Sequence, residues 1–156
     1  MLSAVQVANY FIKKGVEEFN PVTSMKLIKL CYIAQGVYLV THNEKLFSDN
    51  FEAWRYGPVA PSLYQEFKRF GDQVVTIYGG AYLDTHGMID YPHINEENSE
   101  FIEVLNMVWD KFRDWSAPEL SAWTHRKESA WSKTEKNEVI TDEMLKTEFQ
   151  ALISET

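Results

Sequence analysis

The sequence predicts an α-dominated α+β fold: a single compact, mostly helical domain spanning 1–156, built around a buried central helix at about 24–41, with a small antiparallel β element. Three features of the chain carry this. The run "MKLIKLCYIAQGVYLV" is apolar on almost every side, and a helix with so little polar face belongs inside a protein. Helix starts are marked by the spacing of Ser3 with Gln6 and of Ser116 with Glu119, both capping-box patterns. Two aromatic or β-branched runs, "FEAWRYGPV" and "QVVTIYGG", end at Gly57-Pro58 and Gly79-Gly80 and read as extended. A chain of 156 residues is long enough to bury a sizeable core as one domain.

The elements follow in order. Behind the cap at Ser3, with Leu2 placed to staple onto Val7, the residues Val5, Ala8, Ile12, Gly15 and Phe19 recur at helical spacing. Asn20-Pro21 ends that helix, because the residue before a proline avoids the α region. The central helix retains a narrow polar edge of Lys26, Lys29, Tyr32 and Gln35, expected at the surface, and Cys31 packs in it as a small hydrophobe. A turn at "THNEKLF" leads to the extended 51–59 stretch. Pro61-Ser62 opens a short helix that Gly71 closes after Phe70. Residues 79–98 show little periodicity and read as a loop-rich, mobile connector. A helix from about Ser99 carries Phe101, Ile102, Leu105, Val108, Trp109 and Phe112. The helix behind Ser116 carries Leu120 and Trp123. The last begins at Thr141 as N-cap, with Asp142 and Glu143 favouring the positive end of its dipole and Leu145, Phe149 and Leu152 on its buried face.

Hydrophobic residues make up 45% and aromatics 14% of the chain, which marks a folding sequence. The net charge of −8 argues against non-specific binding to nucleic acid or an anionic membrane, so neither is expected as a partner. The charge is uneven: residues 1–70 hold eight Lys/Arg and six Asp/Glu, net +2, whereas 71–156 hold seven and seventeen, net −10. Cys31 stands alone, so no intramolecular disulfide forms and a cytoplasmic home is expected. The lysines of "MLSAVQVANYFIKK" follow the apolar residues instead of preceding them, so no signal peptide is expected. No apolar run approaches a membrane-spanning length.

Enzyme signatures are missing from the sequence. It has no phosphate-cradling loop, no GxSxG elbow, no CxxC and no HExxH. His86 and His93 with Asp84 and Asp90 lie close together, but in a polar stretch without ligand spacing. Cys31 sits in an apolar helix, where a thiolate is disfavoured. No catalytic residue, metal or cofactor is therefore expected. His125, at the end of the helix that carries Trp123, reads either as a helix terminus or as a polar group on a binding surface.

Three stretches recur in a familiar order: "MKLIKLCYIAQG", "FEAWRYGPVAPSLYQEFKRFG" and "LSAWTHRKESAW". Through Lys26, Leu27, Lys29, Leu30, Tyr32, Ala34, Gln35 and Gly36, then Glu52, Ala53, Trp54, Gly57, Pro58 and Val59, then Leu120, Thr124, His125 and Trp131, the chain resembles the Panacea-domain family. These are the SocA-like and GepA-like proteins, often phage-borne and encoded beside toxins. Cys31 and the Ala122-Trp123 pair depart from the usual pattern without breaking it. The resemblance implies an antitoxin that neutralises a cognate toxin by binding it. An alternative it also implies is an adaptor that hands its toxin to a cytoplasmic AAA+ protease. An enzyme reversing the toxin's effect is a further, less favoured alternative.

The stretch around Trp54 then divides. Trp54, Gly57 and Pro58, with Trp131, are expected to be structural: a strand ending in a rigid turn against the central helix. Adjacent strand residues alternate in direction, so Trp54 and Tyr56 are expected to share the inner face while Arg55 faces out. Exposed Arg and Tyr are residue types that anchor interfaces. The candidate partner-binding face is therefore Arg55 and Tyr56, together with Lys26, Lys29 and His125; for the two lysines a merely solvated helix edge is the competing reading.

Overall fold

The computed structural model of the protein describes residues 1–154. Its elements run α1 (Ala4–Glu17), β1 (Val22–Thr23), α2 (Ser24–His42), β2 (Phe51–Trp54), β3 (Gly57–Val59), α3 (Pro61–Phe67), β4 (Val74–Val75), β5 (Tyr82–Leu83), β6 (Ile89–Asp90), α4 (Ser99–Phe112), α5 (Ala117–Thr124), β7 (Val139–Ile140) and α6 (Asp142–Ser154). The fold is the α-dominated α+β class that the apolar central run predicts.

Helix α2 is the axis of the core. It packs against α1, α3, α4, α5, α6 and β3, and Leu27, Leu30, Cys31, Tyr32 and Ala34 have no exposed surface. Gly36 lets α6 approach: a Cβ there would stand 2.2 Å from the Phe149 ring. Both capping boxes form, Ser3 with Gln6 ahead of α1 and Ser116 with Glu119 ahead of α5. Thr141 caps α6 through its hydroxyl, which accepts from the Met144 amide.

The sheets are small. β3, β2 and β7 form a three-stranded antiparallel sheet with Trp54 opposite Gly57 and Phe51 opposite Ile140. β1 pairs with β4, tying the start of α2 to the segment after α3.

Four expectations are corrected. Phe19 does not continue the α1 stripe; it is 95% exposed at φ 54°. The chain closes α1 with a Schellman motif, in which the Asn20 amide donates to Gly15 O and the Phe19 amide to Val16 O. The run "QVVTIYGG" pairs only at Val74–Val75, and Ile77 and Tyr78 are irregular. The 79–98 connector contains a hairpin, β5 on β6. Its turn is stapled by Asp84, whose Oδ1 accepts from the His86 and Met88 amides, with Gly87 at φ 74°.

The fourth concerns the polar edge of α2. Lys26, Lys29, Tyr32 and Gln35 are all buried. Each ties α2 to another part of the chain. Lys26 Nζ donates to the Arg113 carbonyl at the C-terminus of α4, where a cation also suits the helix dipole. The Tyr32 hydroxyl donates to Glu148 Oε1 of α6 at 2.6 Å. The Gln35 side chain donates to Phe47 O and accepts from the Leu46 and Phe47 amides. Lys29 reaches the β2–β3 hairpin.

Candidate functional site

The β2–β3 hairpin turns at Arg55-Tyr56, with Trp54 and Gly57 as the last paired residues. The strand therefore stops before the alternation of Trp54, Arg55 and Tyr56 applies. Arg55 and Tyr56 both face solvent, and Tyr56 is 59% exposed, not turned inward. Gly57 follows at φ 119°, a conformation that L side chains strain to adopt. Space excludes a side chain as well: a Cβ on Gly57 would lie 2.8 Å from Lys29 Cε and 2.9 Å from Thr124 Oγ1.

The backbone of this turn is held from three directions. Trp131 Nε1 donates to the Trp54 carbonyl at 2.6 Å. Ser121 Oγ of α5 donates to the Tyr56 carbonyl at 2.7 Å, and His125 also hydrogen-bonds the Tyr56 backbone. Lys29 Nζ of α2 donates to the Pro58 carbonyl at 3.1 Å. Three carbonyls in and beside the turn thus each accept from a side chain elsewhere in the chain.

Lys29 is 1% exposed and forms no ion pair among the described residues. Burial pushes its ammonium down to about 8 from the ordinary 10.5. His125 lies close by, stacked on the Trp131 ring at 4.0 Å between centroids. Its pKa is lowered, first by burial and then by the Lys29 charge, against the raising effect of the Tyr56 hydrogen bond. A neutral imidazole that donates to the Tyr56 backbone follows, with its buried Nε2 left unpartnered.

Arg126, next in the chain, lies over the Trp123 ring at 3.9 Å and pairs with Glu148 at 2.7 Å. Glu148 also accepts from Tyr32 and from the Ala130 amide. This buried carboxylate fixes the 125–131 segment onto α2 and α6, and so aims Trp131 at the hairpin. The sequence reading does not single out Ser121 or Glu148. For Glu148 the only signal is a charge one residue from Phe149 on an apolar helix face.

Outside the clamp, the Arg55 guanidinium rests 5.3 Å from the Tyr56 ring centroid and has no ion pair among the described residues. Trp54 is half-buried; its ring meets Tyr64 edge-on at 5.1 Å and its Nε1 donates to Glu52 Oε1. Beside the hairpin, a cleft of about 430 Å³ separates it from the start of α2, with Met25, Ile28 and Tyr64 in its walls and Lys29 at its inner end. The structure thus gathers Arg55, Tyr56, Lys29 and His125 around one hairpin. It places Lys26 elsewhere, at the end of α4.

A second cleft of about 580 Å³ lies between α1 and residues 90–96, bordered by Tyr10, Tyr78 and Tyr91. Its polar groups serve the fold: Asn9 donates to Gly79 O and Pro92 O, Tyr10 bonds Asn106, and Lys13 pairs with Glu96. His86 is exposed in the β5–β6 turn. Among the described residues no three His, Cys, Asp or Glu side chains converge as metal ligands, and no helix is long and apolar enough to cross a membrane.

Comparison with known proteins places these features in context. Residues 27–132 match the family described as antitoxin SocA-like, Panacea domain. The matched interval contains Lys29, the whole hairpin, His125 and Trp131. The chain is also 29% identical over 133 residues to Antitoxin SocA of Caulobacter vibrioides (strain NA1000 / CB15N), covering 83% of this chain and 69% of that protein. No solved structure matches it.

Proposed function

The chain belongs to the SocA-like Panacea-domain antitoxin family, and from that premise we propose that it neutralises a cognate toxin by binding it directly, as one domain in the cytoplasm, through the face around Arg55 and Tyr56. One observation carries this reading. The hairpin backbone is fixed at Trp54, Tyr56 and Pro58 by side chains from three other segments, while the side chains at its tip remain free. A tip held in this way loses little freedom on binding, so more of the contact energy appears as affinity. Arg and Tyr are among the residues that carry such energy at interfaces. Lys29, Ser121 and His125 are occupied in holding the turn, which favours a binding role for this site over a catalytic one.

The test uses the small protein encoded in the neighbouring reading frame as the toxin. Co-expression should rescue growth in proportion to antitoxin dose, and the two proteins should co-purify. The double variant Arg55→Ala/Tyr56→Ala should fold normally and lose both complex and rescue, whereas Glu103→Ala on the exposed side of α4 should retain both. Rescue by the double variant at wild-type dose would overturn the assignment of this face. Rescue accompanied by disappearance of the toxin, dependent on an AAA+ protease, would identify delivery to proteolysis as the mode. Multiple-turnover inactivation of toxin by the purified protein alone would replace binding with catalysis.

A further inference from the structure

Two cations of this acidic protein that lack an ion pair among the described residues border one cleft. Lys13, Lys14, Arg69, Arg113 and Lys133 each have a carboxylate partner. Arg55 and Lys29 have none among the described residues, and both border the 430 Å³ cleft, which carries a single acid, Asp72. Lys29 has three donors and one acceptor, the Pro58 carbonyl. Met25, Ile28, Trp54 and Tyr64 supply its apolar walls. Met25 is 38% exposed at the rim, so the apolar surface is open to solvent. The size falls within the roughly 300–1,000 Å³ of small-ligand sites.

Apolar walls beside an unpaired guanidinium, with a second cation at the inner end, define the chemistry of an occupant. Resting on the antitoxin reading, we propose that this cleft receives a docking segment of the toxin that presents an apolar side chain beside a carboxylate. The side chain lies between Met25, Ile28 and Tyr64. The carboxylate meets Arg55, whose planar fork of donors suits it, and Lys29 adds attraction from within. The tyrosine at the hairpin tip covers the junction, since Arg55 already lies against its ring. Specificity follows from both halves together: an apolar segment without the acid leaves the cations unpaired, and an acid without the apolar group leaves the walls wet.

The simplest probe pair is 3-phenylpropionate and 3-phenylpropionamide, which share the apolar group and differ in replacing one carboxylate oxygen with an uncharged NH2. Amide shifts of the full-length protein are followed by NMR as each is added at millimolar concentration. The carboxylate should bind saturably, shifting residues 24–29, 54–56 and 64, and about ten-fold more tightly than the amide. Arg55→Ala should reduce carboxylate affinity to that of the amide while leaving the amide unaffected. Met25→Glu at the rim should weaken both probes. Absence of saturable shifts, equal affinity for the two probes, or shifts confined to another surface would each overturn the proposal. The antitoxin reading would survive that failure, because growth rescue by toxin co-expression tests it independently.

Discussion

Trp131 Nε1 donates to the Trp54 carbonyl at 2.6 Å, joining two aromatic residues 77 positions apart in the chain. The bond fixes the last residue of β2 just before the Arg55-Tyr56 turn. Trp131→Phe keeps an aromatic ring but removes the donor, taking this hydrogen bond from the carbonyl. Stability should fall by about 1–3 kcal/mol, read from urea unfolding. Toxin binding should weaken beyond what the lost folded fraction explains, because the hairpin tip loosens. Unchanged affinity would separate the clamp from the binding face.

Gly57 and Arg55 should respond in opposite ways. Gly57→Ala places a Cβ against Lys29 and Thr124 at a φ of 119°, so it should cost at least roughly 1–3 kcal/mol. Arg55→Ala removes only an exposed side chain and its contact with the Tyr56 ring, so the melting temperature should stay nearly constant. A large drop for Arg55→Ala would make it a structural residue.

Lys29 gives the protein a specific alkaline response. Its pKa falls to about 8 in the fold from 10.5, so between those values the unfolded chain binds more protons than the folded one. Stability from this group therefore rises as pH climbs from about 8 toward 10.5. Below 8 the cost of burying the cation is present in full, roughly 3 kcal/mol. Lys29→Met cannot titrate. The stability difference, wild type minus variant, should grow over that window when both are unfolded in urea at several pH values. A flat difference would show that Lys29 is not strained by burial.

Phe19 stands at φ 54° with 95% of its surface exposed. The C′ position of a Schellman motif favours glycine, and Phe19 buries little in exchange. Phe19→Gly should therefore raise stability by about 0.5–1 kcal/mol, an increase of a few degrees in melting temperature for a domain of this size. A loss of stability would mean that the ring makes contacts worth more than the backbone strain.

Local chemistry determined a large part of this protein in advance. The all-round apolar run of 25–40 makes α2 the central helix, because no orientation of such a helix leaves it a wet face. The boxes at Ser3 and Ser116 and the cap at Thr141 set helix starts through bonds within a few residues. Arg55 could be named as exposed from its charge alone. The tertiary structure decided the rest, and the α2 lysines show why. Lys26 and Lys29 read as a solvated edge because a lysine ordinarily costs too much to bury. What lowers that cost is distant in sequence: the Arg113 carbonyl for Lys26 and the Pro58 carbonyl for Lys29. Tyr56 follows the same logic. Strand alternation would turn it inward, but the ladder ends at the Trp54–Gly57 pair and Tyr56 falls in the turn, whose neighbouring carbonyls Trp131, Ser121 and Lys29 hold. Hydrogen-bond partners separated by 29 to 77 positions leave no periodic trace in the chain, so the clamp, and with it the exposed Arg55-Tyr56 tip, exists only once the helices have packed.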